Sequence, residues 1–500
     1  MLLPSPGAWA DGRAKVALAA PSELKAPAGA QLAPPAEVFT ALRRAGIPAG
    51  DVGLIAEPVD GEEPPLYAHN ENQPLTLAST TKLVTALAAL ETLGPDWRWR
   101  TRAYLRGPLK DGVLEGDLHI VGGGDARLSS RELAAWFARM QHKGLREIRG
   151  NIVLDHFAFR LKPADHAGTP PPSPDHPHHA WPDALTVDEG VLAVELSTGP
   201  GGTLQARLVP ELDGVELIDQ VTHQGNRCQG LRQPAQVTAD TKARPMKLVI
   251  AGEWASGCPA RRVELPMEPG SPFAAAVVAA AWRGAGGRLT GTVEDKAAPD
   301  PLPARRARRA PALPKPWSVL ESPPLAEVVR DMNKASKNLV ARNLMLSLAR
   351  NFPAQGQPAT GATLEDARGR VRQWLLGQGL AEDDIQVDNG SGLSRAEKGR
   401  PRALTQLLRN AWNSKLAKVF TDSLPVAGKD GTLASRFKES EAQGRAALKT
   451  GTLNDTRALA GYVQGRSGRT YAVTAIVNHA QASRSQAAID AFIEWVVRNG

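Results

Sequence analysis

Ser79-Thr80-Thr81-Lys82 runs directly into residues 83–93, which read LVTALAALETL, and Gly94-Pro95 ends the run. Leu83, Ala86, Leu87 and Leu90 recur at three- and four-residue spacing, which predicts a helix with a buried face, stopped by Gly94 and Pro95. Positions i and i+3 share a helix face, so the Ser79 hydroxyl and the Lys82 amine can meet. A serine attacks well only when a neighbour takes its proton, and a lysine held neutral by its surroundings can do so. The helix N-terminus adds exposed N–H groups and the positive end of the dipole where an oxyanion would form. Alone, S-x-x-K is a weak signal, because an N-capping serine with a solvent lysine three residues later gives the same letters. Two further copies, Ser22-Glu23-Leu24-Lys25 and Ser435-Arg436-Phe437-Lys438, open no apolar helix.

Outward from this helix the texture changes along the chain. Residues 36–45 read as a helix and 51–56 as a short strand. From Arg100 to about Ile250 come short β-like runs at 113–120, 152–155, 204–209 and 215–221, then a helix-like piece at 273–283. Helices return at 325–348 and 367–377. The end reads as strands at 444–449, 458–465 and 471–478 and a helix at 486–498. Between the two helical parts lies a Pro/Arg segment, 299–316, containing Arg305-Arg306-Ala307-Arg308-Arg309. Aromatics do not interleave it and no nucleic-acid motif accompanies it, so it reads as a solvated linker and no nucleic-acid partner is expected.

Composition narrows the classes. The 500 residues are 42% hydrophobic and 22% charged, which excludes global disorder and suggests two to four domains. With 47 Gly and 40 Pro the chain is turn-rich. Its longest apolar run, residues 273–282, is about half of a bilayer span, so no transmembrane segment is expected. A net charge of +8 suits an anionic partner. Cys228 and Cys258 alone exclude a disulfide framework and a four-cysteine metal site; a single disulfide and two quiet thiols both remain open. His156, His166, His176, His178 and His179, with Asp165 and Asp175, are irregularly spaced in a Pro-rich stretch, and no metal site is expected there. Gly122-Gly123-Gly124 reads as a tight turn, since neither nucleotide-binding glycine pattern is present.

Two later motifs change the weight of the first. Ser336-Lys337-Asn338 falls in the stretch expected to be helical, and Lys449-Thr450-Gly451 closes a strand-like run and is followed by Thr452. A lysine there can bind a carboxylate, Thr450 can donate a hydroxyl, and Gly451 lets a strand edge approach a ligand closely. A near miss, Lys429-Asp430-Gly431-Thr432, lacks the middle hydroxyl and is set aside. S-x-x-K, S-x-N and K-T-G in this order are the signature set of penicillin-binding and β-lactamase serine acyltransferases.

On these residues the chain resembles the low-molecular-mass class C penicillin-binding proteins, the DacB-type D-alanyl-D-alanine carboxypeptidase/endopeptidases. Further matching segments are Leu93-Gly94-Pro95-Asp96, residues 116–125 (GDLHIVGGGD), 388–395 (DNGSGLSR), Gly461-Tyr462-Val463 and Val477-Asn478-His479. The resemblance spans residues 36–498, and the 254 positions from Lys82 to Ser336 leave room for the large insertion of this class. It implies an α/β (α+β) penicillin-binding-protein/β-lactamase-like transpeptidase fold, an antiparallel sheet flanked by helices with two inserted β-rich domains. The implied division is a flexible lead-in over 1–35 and peptidase parts at 36–105 and 317–500. A first inserted domain falls at 106–190 and 269–316, the latter including the linker, and a second at 191–268.

The resemblance also implies roles. Ser79 would attack the carbonyl between two D-alanines, Lys82 would take its proton, and Ser336 and Asn338 would relay protons and hold the substrate. The N–H groups of Ser79 and Thr452 would form the oxyanion hole, while Lys449 and Thr450, with Gly451 and Thr452, would recognise the terminal carboxylate. Peptidoglycan peptides ending in D-Ala-D-Ala would be the substrate and β-lactams covalent inhibitors, with no cofactor. Export to the periplasm is implied as well. Residues 1–10 (MLLPSPGAWA) end like a signal cleavage site but lack the apolar stretch before it, so the lead-in is expected to be a truncated signal. Lys337 stands where relatives commonly have Asp, Ala126 where they have Pro, and the match thins around 180–190. A catalytically silent wall-binding scaffold, or a β-lactamase or esterase on the same fold, are the competing readings. The Asp388–Arg395 loop could equally line the cleft or form a structural turn.

Overall fold

The computed structural model describes residues 34–296, 315–351 and 361–500. The basic tract 305–309 and the S-x-x-K copy at 22–25 lie outside them. The strand Thr470–Asn478 (TYAVTAIVN) is buried along nearly its whole length, as a sheet covered on both faces requires. It sits at the centre of a five-stranded antiparallel sheet with the spatial order Tyr67–His69, Val52–Pro58, Thr470–Asn478, Thr456–Gln464, Ala446–Leu453. Side chains alternate between its faces. Val473, Ala475 and Val477 pack with the helices Ala36–Ala45 and Gln486–Asn499, whereas Ala472 and Ile476 face a helical lobe. Chain start and chain end therefore build one core.

The helical lobe holds Thr81–Leu93, Leu325–Ala335, Asn338–Asn351, Leu364–Gly377 and Pro401–Trp412. Residues 81–90 are buried all round, not on one face as the spacing predicts, so Thr81–Leu93 is a core helix. The helix expected over 325–348 is broken. Ser336 adopts φ 56° and ends one helix, its neighbour Lys337 donates its N–H back to the Met332 carbonyl at 3.0 Å, and a second helix starts at Asn338. This left-handed cap satisfies the last carbonyls of the first helix and turns the Ser336 side chain outward.

Between the two parts of this core lie strands in other sheets. Val293–Lys296, Ile152–Asp155, Asp117–Val121, Arg100–Arg106 and Ser318–Glu321 form a mixed five-stranded sheet. Arg100–Arg106 and Ser318–Glu321 lie wholly or almost wholly on the peptidase side of the expected divisions at 105/106 and 316/317. Their ladder partners place both in the sheet that also holds Asp117–Val121 and Ile152–Asp155. The middle is also less purely β than its short runs suggest. Ser130–His142 is a helix with a capping box between Ser129 and Glu132, and its Phe137 meets Trp282 of the helix Phe273–Gly284 edge-on at 5.5 Å. The S-x-x-E signal was present in the sequence. Farther out, residues 191–266 form two three-stranded sheets, and a disulfide joins Cys228 to Cys258. Among the described residues no helix is long and apolar enough to cross a membrane.

Candidate active site

The three motifs converge where the helical lobe meets the edge strand Ala446–Leu453. Ser79 lies in the single 3-10 turn Ala78–Thr80 that feeds the helix Thr81–Leu93, and it is half-buried. Lys82, one turn on, is fully buried, and its Nζ has three partners: Ser79 Oγ at 2.9 Å, Asn338 Oδ1 at 2.7 Å and the Ser391 carbonyl. Burial disfavours the ammonium form and lowers the Lys82 pKa to about 7, although the nearby Glu397 opposes the shift. The partner set has a chemical consequence. A neutral amine has two N–H donors and one lone pair, and neither Asn338 Oδ1 nor the Ser391 carbonyl carries a proton. When both take the donors, the lone pair faces the Ser79 hydroxyl.

Lys449 is also fully buried. Its Nζ donates to Ser336 Oγ at 2.8 Å and to the Thr450 carbonyl at 2.9 Å, and burial, with Lys82 nearby, holds its pKa well below the ordinary lysine range. Ser336 reaches it because of the left-handed cap, so the break in the helix is what joins the second motif to the third. The K-T-G triplet lies inside its strand and does not close it. A Cβ on Gly451 would come 3.0 Å from the Leu77 carbonyl and 3.1 Å from Ala78 Cβ, so the strand edge runs against the turn that carries Ser79. Thr452 follows, exposed.

Several residues of the site were missed or left open by the sequence reading. Thr432, from the near miss set aside, has its hydroxyl 2.9 Å from that of Thr450. Asp430 of the same stretch pairs with Lys334 at 2.7 Å. The 388–395 loop lines the site, delivering the Ser391 carbonyl to Lys82. Its Gly392, at φ 86°, lies so close that a Cβ would sit 2.0 Å from the Ala78 carbonyl and 2.6 Å from the Ser79 nitrogen. Glu397, fully buried, holds that loop. The irregular histidine stretch forms a wall. Asn338 Nδ2 donates to the His178 carbonyl at 3.0 Å, and the His176, His178 and His179 rings pack on one another. His156 is held between Asp183 and Asp295. Among the described residues no group of three or more His, Cys, Asp or Glu is arranged to hold a metal. Backbone carbonyls have no letter in a sequence, so the Ser391 and His178 contacts left no signal. The glycines of 388–392 and the K-D-G-T stretch did.

Ser435–Lys438 supplies the contrast. There Arg436 pairs with Asp490 and lies over the Phe437 ring, and Phe437 takes φ 66°, so that copy of the motif forms no helix start.

A D-alanyl-D-alanine carboxypeptidase of Actinomadura sp. is 28% identical over 457 residues, covering 87% of this chain and 79% of its own length. The crystal structure of penicillin binding protein 4 (dacB) from Haemophilus influenzae superposes with a TM-score of 0.74 at 21% identity, covering 92% of this chain and 99% of that one. The same protein complexed with a β-lactam gives a TM-score of 0.71 at 21% identity, covering 93% and 98%. Residues 37–498 match the model of the D-Ala-D-Ala carboxypeptidase 3 (S13) family. With the match running from the first helix of the core to the last, this chain belongs to that family.

Proposed function

We propose that Ser79 is the acylated nucleophile of a serine-type D-alanyl-D-alanine carboxypeptidase, with Lys82 as its general base. The observation that carries this reading is the Lys82 amine, whose two proton-free partners leave its lone pair to Ser79. Ser79 Oγ bonds to the carbonyl carbon of the penultimate D-alanine as its proton passes to Lys82 Nζ. The C–N bond to the terminal D-alanine then breaks, and the proton reaches the departing nitrogen through the Ser336 hydroxyl. Water attacks the acyl carbon, gives a proton back along the same route, and frees Ser79 and the shortened peptide. The N–H groups of Ser79 and Thr452 stabilise the oxyanion of each step.

Lys449, Thr450, Gly451 and Thr452 receive the terminal carboxylate. A buried lysine with a depressed pKa gains a counter-charge when that carboxylate arrives, so binding favours its ammonium form. Peptidoglycan peptides ending in D-Ala-D-Ala are the substrates, cross-linked peptides among them. β-Lactams acylate the same serine and leave slowly. The chain works in the periplasm, an oxidising compartment consistent with its disulfide. The division into a peptidase domain with two inserted domains is part of the same reading.

The test is covalent labelling with a fluorescent penicillin, wild type beside Ser79→Ala, with the modified peptide mapped by mass. A stable adduct on Ser79 that is lost in the variant is expected. No adduct in a folded wild-type protein would remove the reading and favour a silent scaffold, and rapid turnover of the label would favour a β-lactamase.

A further inference from the structure

We infer that Glu397, which belongs to none of the three motifs, is a positioning residue for the acylation step: it holds the 388–392 loop so that the Ser391 carbonyl occupies one donor of Lys82. The inference rests on the reading of Lys82 as general base. Glu397 Oε1 accepts the N–H groups of Asp388 (3.2 Å), Asn389 (3.0 Å) and Gly390 (2.7 Å), and Oε2 accepts that of Gly392 (2.6 Å). One fully buried carboxylate thus gathers four backbone donors of a five-residue arc. The residue left out, Ser391, has its N–H and its hydroxyl bonded to Asn389 Oδ1 at 3.1 and 2.6 Å, so its carbonyl is free to face Lys82. Thr85 ties the arc to the helix from the other side, donating to the Gly390 carbonyl at 2.8 Å.

Without that carbonyl the neutral amine can rotate, and its lone pair is no longer committed to Ser79. The carboxylate acts a second way, through its charge, which favours the Lys82 ammonium against desolvation wherever Glu397 is ionised; burial pushes its own pKa up to about 7. The other charged groups around the pair are Lys449 on the edge strand and His178 on the wall, both facing Lys82, and Asp388 in the loop and Arg342 on the helix Asn338–Asn351, both facing Glu397. Asp388 is itself paired with Arg368. Glu397 is the group whose removal changes both the loop and the field at Lys82. A glutamine keeps the size but turns an amide N–H₂ toward at least one of the four donors, so the arc must shift.

The experiment is the rate of Ser79 acylation by a fluorescent penicillin from pH 5 to 9, with thermal unfolding of each protein beside it, for wild type, Glu397→Gln, Glu397→Asp and Thr85→Val. For Glu397→Gln the plateau rate should fall roughly tenfold to a hundredfold, and the pH at half-maximal rate should drop by about one unit because Lys82 loses its proton more easily. Glu397→Asp should keep the wild-type midpoint with a reduced plateau, since the charge stays and the reach shortens. Thr85→Val should lower the plateau without moving the midpoint. Unchanged rate and midpoint in Glu397→Gln would overturn the inference, as would a midpoint shift of the same size in Glu397→Asp. Loss of cooperative unfolding in both Glu397 variants would assign the residue to folding and overturn it too. A wild-type protein that is not labelled on Ser79 would instead remove the reading beneath it.

Discussion

The cleft around Ser79 and the outlying sheets of 191–266 are held together in opposite ways. The cleft buries Lys82, Lys449 and Glu397 completely, and both lysines bond to neutral oxygens instead of carboxylates. Such burial opposes stability unless every polar contact is made. The outlying unit instead buries apolar side chains, among them Leu192, Val194, Leu196, Leu248, Ile250 and Trp254. Its outer strands are open: Val215–His223 is mostly exposed, Leu204–Val209 alternates exposed with half-buried residues, and ion pairs such as Arg207 with Glu195 lie at the surface. The disulfide adds a covalent tie to that core. One region gives up stability to hold amines near neutrality, and the other rests on an apolar core and a covalent tie.

That contrast can be broken most sharply at Lys82. Lys82→Met should lower the Ser79 acylation rate by roughly a thousandfold or more, since general bases contribute in about this range. Yet its thermal midpoint should stay level or rise, because an apolar side chain replaces a desolvated amine. A large loss of thermal stability would mean that the lysine supports the fold. In the wild type, the ammonium cannot accept the serine proton, so the rate should climb as pH rises through about 7, where Lys82 loses its proton. A rate that is flat from pH 5 to 9 would contradict the assignment.

A smaller effect is expected where the loop meets the nucleophile. Gly392→Ala places a Cβ against the Ala78 carbonyl and the Ser79 nitrogen at a left-handed φ, so acylation should fall roughly tenfold to a hundredfold, with a lower melting temperature. Smallest of all should be the effect of Cys228→Ser with Cys258→Ser on chemistry, with the Ser79 labelling rate staying within about twofold. Their separation of 30 positions predicts a loss of about 3.6 kcal/mol, read as easier proteolysis between 191 and 268. If this double variant slowed labelling as much as Gly392→Ala, the two regions would be coupled and the comparison would fail.

Much of the site was legible because its groups carry letters. Ser79 and Lys82 are three apart on one helix, and Ser336, Asn338, Lys449 and Thr450 announce themselves in order. The terminal strands were legible from runs such as 471–477, apolar apart from Thr474. Other features left no letter. The chain's turn at Ser336 was hidden inside a helical pattern, because a serine seldom adopts a left-handed conformation and here does so as a helix cap. The strands Arg100–Arg106 and Ser318–Glu321 look like neighbours of the peptidase helices in sequence, and only their hydrogen-bond partners show to which sheet they belong. Thr432 was set aside because Asp430 stands where the motif needs a hydroxyl, when its own hydroxyl reaches Thr450.

The sequence by itself determined which groups are available for chemistry: a serine and a lysine at helical spacing, a serine and an asparagine two apart, and a lysine before a threonine and a glycine. It also determined the strands whose burial builds the central sheet, since apolar periodicity is a local property. Tertiary structure alone decided what state those groups are in. Lys82 meets Asn338 across 256 positions and the Ser391 carbonyl across 309. Its proton affinity comes from the water those contacts exclude and from the charge of Glu397. Desolvation and electrostatic fields are sums over everything nearby in space, and the one-dimensional order of residues does not contain them.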